Sequence, residues 1–270
     1  MPLMSTPEFY AEAQAYDIAF GDRDFVDECN FLEYCLREFG GVHADQVSPA
    51  PSFLEPAAGP ARHAREFARR GWRAVALDLS MDMLNYAQTG ANEEGVELEL
   101  VCADMTDFKL KQPVALAANL MESLSHLVTN EQVVAHLRAV AANLLPGGIF
   151  VIEMAHPSTI WRDNLPNSWV SEAPDGTSIE ILFGAADDPY DWITQQWTVT
   201  TRLRINNPGQ PERVVESHNQ HRWYLAQELR ALIDLSGAFS QTRFFGNMVV
   251  PVPPLDDSAN SDRMIVVLRK

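Results

Sequence analysis

The segment NLMESLSHL at 119–127 sets a carboxylate, Glu122, four residues ahead of an imidazole, His126. On a helix that spacing brings both groups to one face. An imidazole that titrates near neutrality beside a carboxylate forms a general acid–base pair, although a cap or a structural hydrogen bond explains either residue as economically. Upstream, Asp78 closes the apolar run RAVALD, 19 positions after Gly59. A carboxylate about 20 residues beyond a small-residue turn can accept both hydroxyl protons of a ribose. The turn itself reads PAAGPARHA: Gly59 reaches torsions closed to most residues, while Ala57 and Ala61 allow close backbone approach. Such a turn entering a helix offers free N–H groups to a polar ligand. A third acid, Asp104, closes VELELVCAD, where it could accept a proton from the exocyclic amine of an adenine. Leu79, Met83 and Met105 are candidate apolar contacts to such a base, with ordinary packing the alternative for the two methionines.

These residues need a scaffold that brings strand ends together. From Ser52 onward, short apolar runs alternate with helical periods: SFLE, RAVALD, VELELVCAD, VALAANL and IFVIEMA, separated by stretches such as ARHAREFARRG and EQVVAHLRAVAANLL. Runs of four to seven apolar residues without clean alternation fit a parallel sheet covered by helices on both faces. The Pro146-Gly147-Gly148 turn is expected to end one helix and lead into the next strand. Two helices precede this core, one over roughly Pro7 to Ala19 and one in FVDECNFLEYCLREFG. The cadence breaks near His156. The stretches WVSEA, TSIEILFG, DWITQQWTVTTRLRIN and RVVESHNQHRWYL alternate polar and apolar positions between turn-like PDG, DDPYD and NNPGQP, as antiparallel strands do. AQELRALIDLSG, FSQTRFFGN and RMIVVLRK then complete the main sheet. The expected division is 1–155 for the lid helices and most of the main domain, 156–223 for an inserted β-rich cap, and 224–270 for its completion.

Together these features resemble the class I SAM-dependent methyltransferases, SAM being S-adenosylmethionine, in their small-molecule form with a late β-rich insertion. The resemblance implies a doubly wound, Rossmann-like α/β fold with a seven-stranded sheet and an antiparallel insertion. It carries over best to 52–155: Glu55 takes the acidic place that starts the cofactor loop, the backbone around Ala57 and Gly59 lies near the methionine moiety, and Asp78 holds ribose. Asp104 lies near adenine, and Asn119 and Leu120 fall near the sulfonium. An N-terminal helix covers the pocket in that family, which makes Tyr16 a cofactor contact and Tyr10 a substrate contact. EPAAGPA has fewer glycines than the family's loop, and this departure disfavours a dinucleotide more than SAM. A pyrophosphate needs the backbone closer, and SAM carries no phosphate.

The implied reaction is direct methyl transfer to an oxygen or nitrogen of a small acceptor, with His126 and Glu122 as acid–base candidates. It requires alignment, water exclusion and removal of a proton, and no metal. Trp161, Arg162, Trp192 and His221 are candidate acceptor contacts, with packing of the insertion as their plainer role. A noncatalytic interaction protein of the same fold and a protein methyltransferase are the competing classes. Thirty-seven acidic against 20 basic residues, a net charge of −17, make nucleic acid and anionic membrane poor partners. Three cysteines without metal-ligand spacing, the lack of a signal-like opening and the lack of a spanning apolar run point to a cytoplasmic enzyme. The acceptor's identity and the oligomeric state are not encoded in any motif.

Overall fold

The computed structural model describes residues 12–42, 50–159 and 166–270. Tyr10, Trp161 and Arg162 lie outside them. Two helices open the described chain, α1 (Ala13–Ala19) and α2 (Phe25–Phe39), the latter N-capped by Asp24, whose side chain accepts from the Asp27 amide. The core follows as β1 (Ser52–Pro56), α3 (Arg62–Arg69), β2 (Arg73–Asp78), α4 (Met81–Glu94), β3 (Glu99–Cys102), β4 (Val114–Asn119), α5 (Asn130–Ala142) and β5 (Leu144–Ala155). The inserted strands are β6 (Asn167–Glu172), β7 (Ser178–Phe183), β8 (Tyr190–Asp191), β9 (Gln196–Asn206) and β10 (Arg213–Arg222). The chain ends with α6 (Ala226–Ser236), β11 (Gln241–Phe245) and β12 (Arg263–Arg269).

The main sheet has seven strands in the order β11-β12-β5-β4-β1-β2-β3. All are parallel except β12, which runs antiparallel to both β5 and β11. Every residue of β1 and β4 is buried between two helical layers, the polar Ser52, Glu55 and Asn119 included. One apolar cluster lies on each face: Leu54, Val75, Phe150 and Tyr224 on one side, Phe31, Phe53, Phe67 and Val151 on the other. Removing such a side chain from water contributes about 1.5–3 kcal/mol. A second, antiparallel sheet is ordered β10-β9-β7-β6, with β8 paired to β9. Its alternation places Ile179, Ile181, Leu203, Ile205 and Val215 against Ala15 and Ala19 of α1.

Three elements differ from their sequence-based expectation. Helix α4 runs to Glu94, past Gly90, the glycine that closes the helical period SMDMLNYAQTG in the sequence. There the buried Arg65 guanidinium lies so close that a Cβ would fall 1.7 Å from its Nη1, so Gly90 serves packing rather than termination. Strand β5 begins at Leu144, before Pro146-Gly147-Gly148, because Val114 pairs with Leu144 and Leu116 with Ile149; the turn is a bulge inside the strand. The segment after β4 forms only a short 3₁₀ turn, Ser123–His126. Met121 and Glu122 are both left-handed, at φ 54° and 58°, so Glu122 stands outside the turn and the helical i,i+4 relation to His126 does not exist.

Candidate active site

Strand order reverses between β1 and β4: β2 and β3 lie to one side of β1, β4 and β5 to the other. In an open α/β sheet this is where a crevice opens beyond the carboxyl ends of the strands. The loops at its rim are 57–61, after β1, and 120–126, after β4.

The first loop is built from left-handed residues, Ala57 at φ 53°, Gly59 at 50° and Ala61 at 56°. Only glycine takes that region freely, and each alanine costs about 1–2 kcal/mol to hold there. Asp78, at the end of β2, fixes the loop from outside: its Oδ2 accepts the Gly59 amide at 2.7 Å and its Oδ1 the Ser80 amide at 2.8 Å. Burial raises the Asp78 pKa, and hydrogen bonds from the Ser80, Gly59 and Leu79 amides oppose it. Beyond these three amides the carboxylate keeps lone-pair capacity for a ribose hydroxyl. Tyr16 of α1 faces the loop, its ring 3.8 Å from where a Gly59 Cβ would lie. Its hydroxyl is held protonated first by burial and then by the Asp78 charge. Helix α1 is anchored over this rim by Asp17, which accepts both Arg62 Nε and Nη2 at 2.6 Å and the Tyr86 hydroxyl at 2.9 Å.

Asp104 is exposed beyond β3, its Oδ1 accepting the amide and hydroxyl of Thr106. Leu79 is exposed, Met83 is buried in α4, and Met105 is partly buried with its carbonyl accepting from His136. Asn119 ends β4 completely buried. Its Nδ2 donates to the Pro56 carbonyl at 3.2 Å, and its Oδ1 has no hydrogen-bond partner. An orphaned buried oxygen costs free energy unless a donor reaches it, and this one lies at the crevice between the two loops. Leu120 is buried, its carbonyl accepting the Ser123 hydroxyl. Glu55 has both oxygens engaged, Oε1 with His63 Nδ1 at 2.9 Å and Oε2 with the Ala64 amide at 2.9 Å. The three left-handed residues, the Asp78 lone pairs and the free Asn119 oxygen together fit an adenosyl cofactor with no phosphates.

Beside the second loop lies a cavity of ≈ 630 Å³. Its floor is Met121 to His126, Glu153 to Ala155 at the end of β5, and Arg263 at the start of β12, whose antiparallel course brings it to the same edge. The inserted sheet gives the opposite wall, with Trp169, Phe183 and His221, and the α1–α2 link supplies Phe20 and Arg23. Trp169 is locked by an Nε1–H bond of 2.8 Å to the Ala19 carbonyl. Glu122 and His126 are therefore brought to one cavity by the left-handed kink instead of a helix face. Trp223 Nε1 donates to Glu122 Oε2 at 3.2 Å, and burial raises the Glu122 pKa against that bond. Burial lowers His126 to about 4, so its ring is neutral at pH 7. Its ring centroid is 4.4 Å from that of His221, which hydrogen-bonds Ser125 Oγ at 2.9 Å and is also kept neutral by burial. Trp192 is 61% exposed and does not line the cavity.

Residues 53–148 match the family model described as "Methyltransferase domain". A dTDP-3-amino-3,4,6-trideoxy-alpha-D-glucopyranose N,N-dimethyltransferase of Streptomyces venezuelae is 27% identical over 143 residues, 52% of this chain and 56% of that protein. A dTDP-3-amino-3,6-dideoxy-alpha-D-glucopyranose N,N-dimethyltransferase of Streptomyces fradiae is 34% identical over 104 residues, 38% of this chain and 39% of that protein. The chain thus spans about half the length, or less, of these curated relatives. Likeness of the whole fold is broader. A SAM-dependent methyltransferase from Clostridium acetobutylicum superposes at a TM-score of 0.73, with 14% identity over 97% of this chain and 98% of the other. The chain has the class I SAM-dependent methyltransferase fold. A SAM-bound amino pentose methyltransferase from Micromonospora echinaspora shares this methyltransferase fold at a TM-score of 0.68, with 16% identity over 99% of this chain and 98% of the other.

Several cavity residues escape sequence reasoning: Phe20, Arg23, Glu153, Trp169, Phe183 and Arg263. Glu153 carried a signal, being a lone carboxylate inside the apolar run IFVIEMA, where an acid requires a partner. The others are ordinary residue types until the insertion folds against the sheet. Among the described residues, no group of three or more His, Cys, Asp or Glu side chains could hold a metal ion, and no helix is long and apolar enough to cross a membrane.

Proposed function

We propose that this protein transfers a methyl group from SAM to a small, sugar-like acceptor, and that the accepting atom is an amine nitrogen. The observation that carries the nitrogen is the charge of the acceptor cavity. Asp22, Glu122, Glu153 and Asp262 line it against Arg23 and Arg263, and both arginines pair with Glu153. A lining with excess carboxylate draws an ammonium in and repels an anion. The two partly matching relatives are named for N,N-dimethylation of amino sugars, which supports the same choice.

Bound SAM supplies an electrophilic methyl group on a sulfonium. Asp78, Asp104 and Asn119 Oδ1 would hold it against the backbone of loop 57–61, whose Ala58, Gly59 and Ala61 amides are already engaged within the protein, with Tyr16 as cover. The remaining work falls to residues of the cavity. An amine attacks only after losing its proton, and Glu122 and His126 are the titratable side chains of the cavity floor that would take part in moving it. Glu122 orients the ammonium while Trp223 holds its other side. Phe20, Trp169 and Phe183 keep water from the reacting atoms.

The test compares amino sugars, their nucleotide diphosphate esters and the matching hydroxy sugars as acceptors of labelled methyl from SAM. Label on the amines, lost when the amine is replaced by hydroxyl, is expected. Label on the hydroxy sugars alone would overturn the nitrogen assignment.

A further inference from the structure

The cofactor loop and the acceptor loop are joined by one line of side chains of alternating charge, most of it buried. It starts at the Ala64 amide, in the first turn of the helix that follows the cofactor loop, which donates to Glu55 Oε2 at 2.9 Å. Glu55 Oε1 meets His63 Nδ1 at 2.9 Å, and His63 Nε2 meets Glu28 Oε2 at 2.7 Å. Arg23 Nη2 lies 2.7 Å from Glu28 Oε1 and donates to both Glu153 oxygens at 2.9 Å. Glu153 Oε2 then accepts the Met121 amide at 2.9 Å, while Arg263 binds its Oε1 at 2.6 Å.

Both ends of this line are main-chain N–H groups: Met121 belongs to the acceptor loop, and Ala64 lies in the first turn of the helix into which the cofactor loop leads. The Met121 end is a strained one, because Met121 and Glu122 each hold a left-handed conformation that costs an ordinary residue energy. What holds the Met121 amide in place is the Glu153 carboxylate, whose orientation is fixed by Arg23. Arg23 is shared with Glu28, and Glu28 with His63. Sequence separations of 35 between Glu28 and His63 and 130 between Arg23 and Glu153 mean that no local element imposes this alignment. Helix α2 and the link before it contribute Glu28 and Arg23, which lie ahead of the core sheet in the chain.

We propose that Glu28, Arg23 and Glu153 are positioning residues that couple occupancy of the cofactor loop to the geometry of Met121 and Glu122 in the acceptor cavity. In this role the line makes the acceptor side ready when the cofactor loop is ordered, and lets a change at the acceptor end weaken the cofactor end. The proposal rests on the SAM reading of loop 57–61.

S-Adenosylhomocysteine is the probe, titrated calorimetrically into the full chain, with urea stability followed in parallel. Glu153→Gln lies at the acceptor end, yet it should weaken S-adenosylhomocysteine binding by about tenfold, within the usual range of coupling between sites. Glu28→Gln should weaken it similarly, and the double variant should be no weaker than the singles, since either change breaks the same line. Wild-type affinity in Glu153→Gln, or losses that multiply in the double variant, would overturn the coupling. Lowered stability with unchanged affinity would do the same, because it marks a purely structural line. Should either variant fail to fold, hydrogen exchange of the Met121 amide in the wild type decides. Saturation with S-adenosylhomocysteine should slow it severalfold, and unchanged exchange rejects the proposal. A wild-type protein that binds no S-adenosylhomocysteine overturns the cofactor reading itself and the coupling with it.

Discussion

His63 is enclosed between two carboxylates, Glu55 on Nδ1 and Glu28 on Nε2, with the Phe25 ring 5.0 Å away. Burial alone would lower its pKa, but the two carboxylates outweigh burial and lift it from 6.5 to about 9. A histidine raised in the folded state stabilises the fold fully below its unfolded pKa, and that contribution is lost as pH rises through the folded value. Linkage between 6.5 and about 9 gives roughly 3 kcal/mol at pH 6.5, of which about 1 kcal/mol is left at pH 8.5. The buried thiols of Cys29 and Cys35 are also raised by burial, and because an unfolded thiol titrates near ~8.5 each adds about 0.4 kcal/mol of alkaline loss by pH 8.5. Urea unfolding from pH 6.5 to 8.5 should therefore show a fall of about 3 kcal/mol in the wild type, about 2 kcal/mol of it from His63. His63→Gln should start about 3 kcal/mol lower, since it leaves two buried carboxylates without their cation. Its stability should then fall by only about 1 kcal/mol across the same range, the share of the two thiols. An equal alkaline fall in His63→Gln would show that the loss comes from other groups and refute the assigned charge.

The acid limb has the opposite origin. Burial lowers His126 and His136 to about 4 each, so the unfolded chain takes up their protons first as pH falls below 6.5. Each should cost about 2 kcal/mol by pH 5, and His136→Phe should flatten part of that limb in the same urea series. Asp78→Ala should weaken S-adenosylhomocysteine binding by about 10- to 100-fold, the scale of a charge-assisted hydrogen bond; Asp104→Ala should weaken it less, because Asp104 is exposed, and equal affinities in a calorimetric comparison would contradict this order. His126→Ala and Glu122→Gln should keep cofactor affinity while slowing single-turnover transfer by about 100-fold or more, the usual contribution of a positioned base. Wild-type transfer in both would leave neither as the base.

The main sheet was legible because its strands are short apolar runs with small or acidic residues at their carboxyl ends, and a parallel sheet buried on both faces demands such runs. SFLEP, RAVALD and VALAAN could be read for this reason, and with them the places of Gly59, Asp78 and Asn119. The alternation in β9 and β10 exposed the insertion in the same way. What escaped depends on contacts between residues far apart in sequence. Glu122 and His126 seemed to share a helix face, but the left-handed pair at Met121 and Glu122 has no glycine to announce it. It stands because Glu153, 32 residues later, accepts the Met121 amide. Glu55 was read as a cofactor residue, and its buried partners His63 and Glu28 show how much of its hydrogen-bonding capacity the fold takes. Gly90 sits inside a helix because the Arg65 guanidinium occupies the space above it, a contact that no local sequence signal announces.

The central claim is that this chain moves methyl groups from SAM to a small amine held beside Glu122 and His126. The most direct measurement incubates the purified protein with methyl-labelled SAM and a pool of small amines and amino sugars, then separates small molecules from polypeptide before counting. Label is expected in an amine-bearing small molecule for the wild type, with a large loss in the His126→Ala, Glu122→Gln double variant. Label confined to polypeptide, or equal labelling by the double variant, would contradict it.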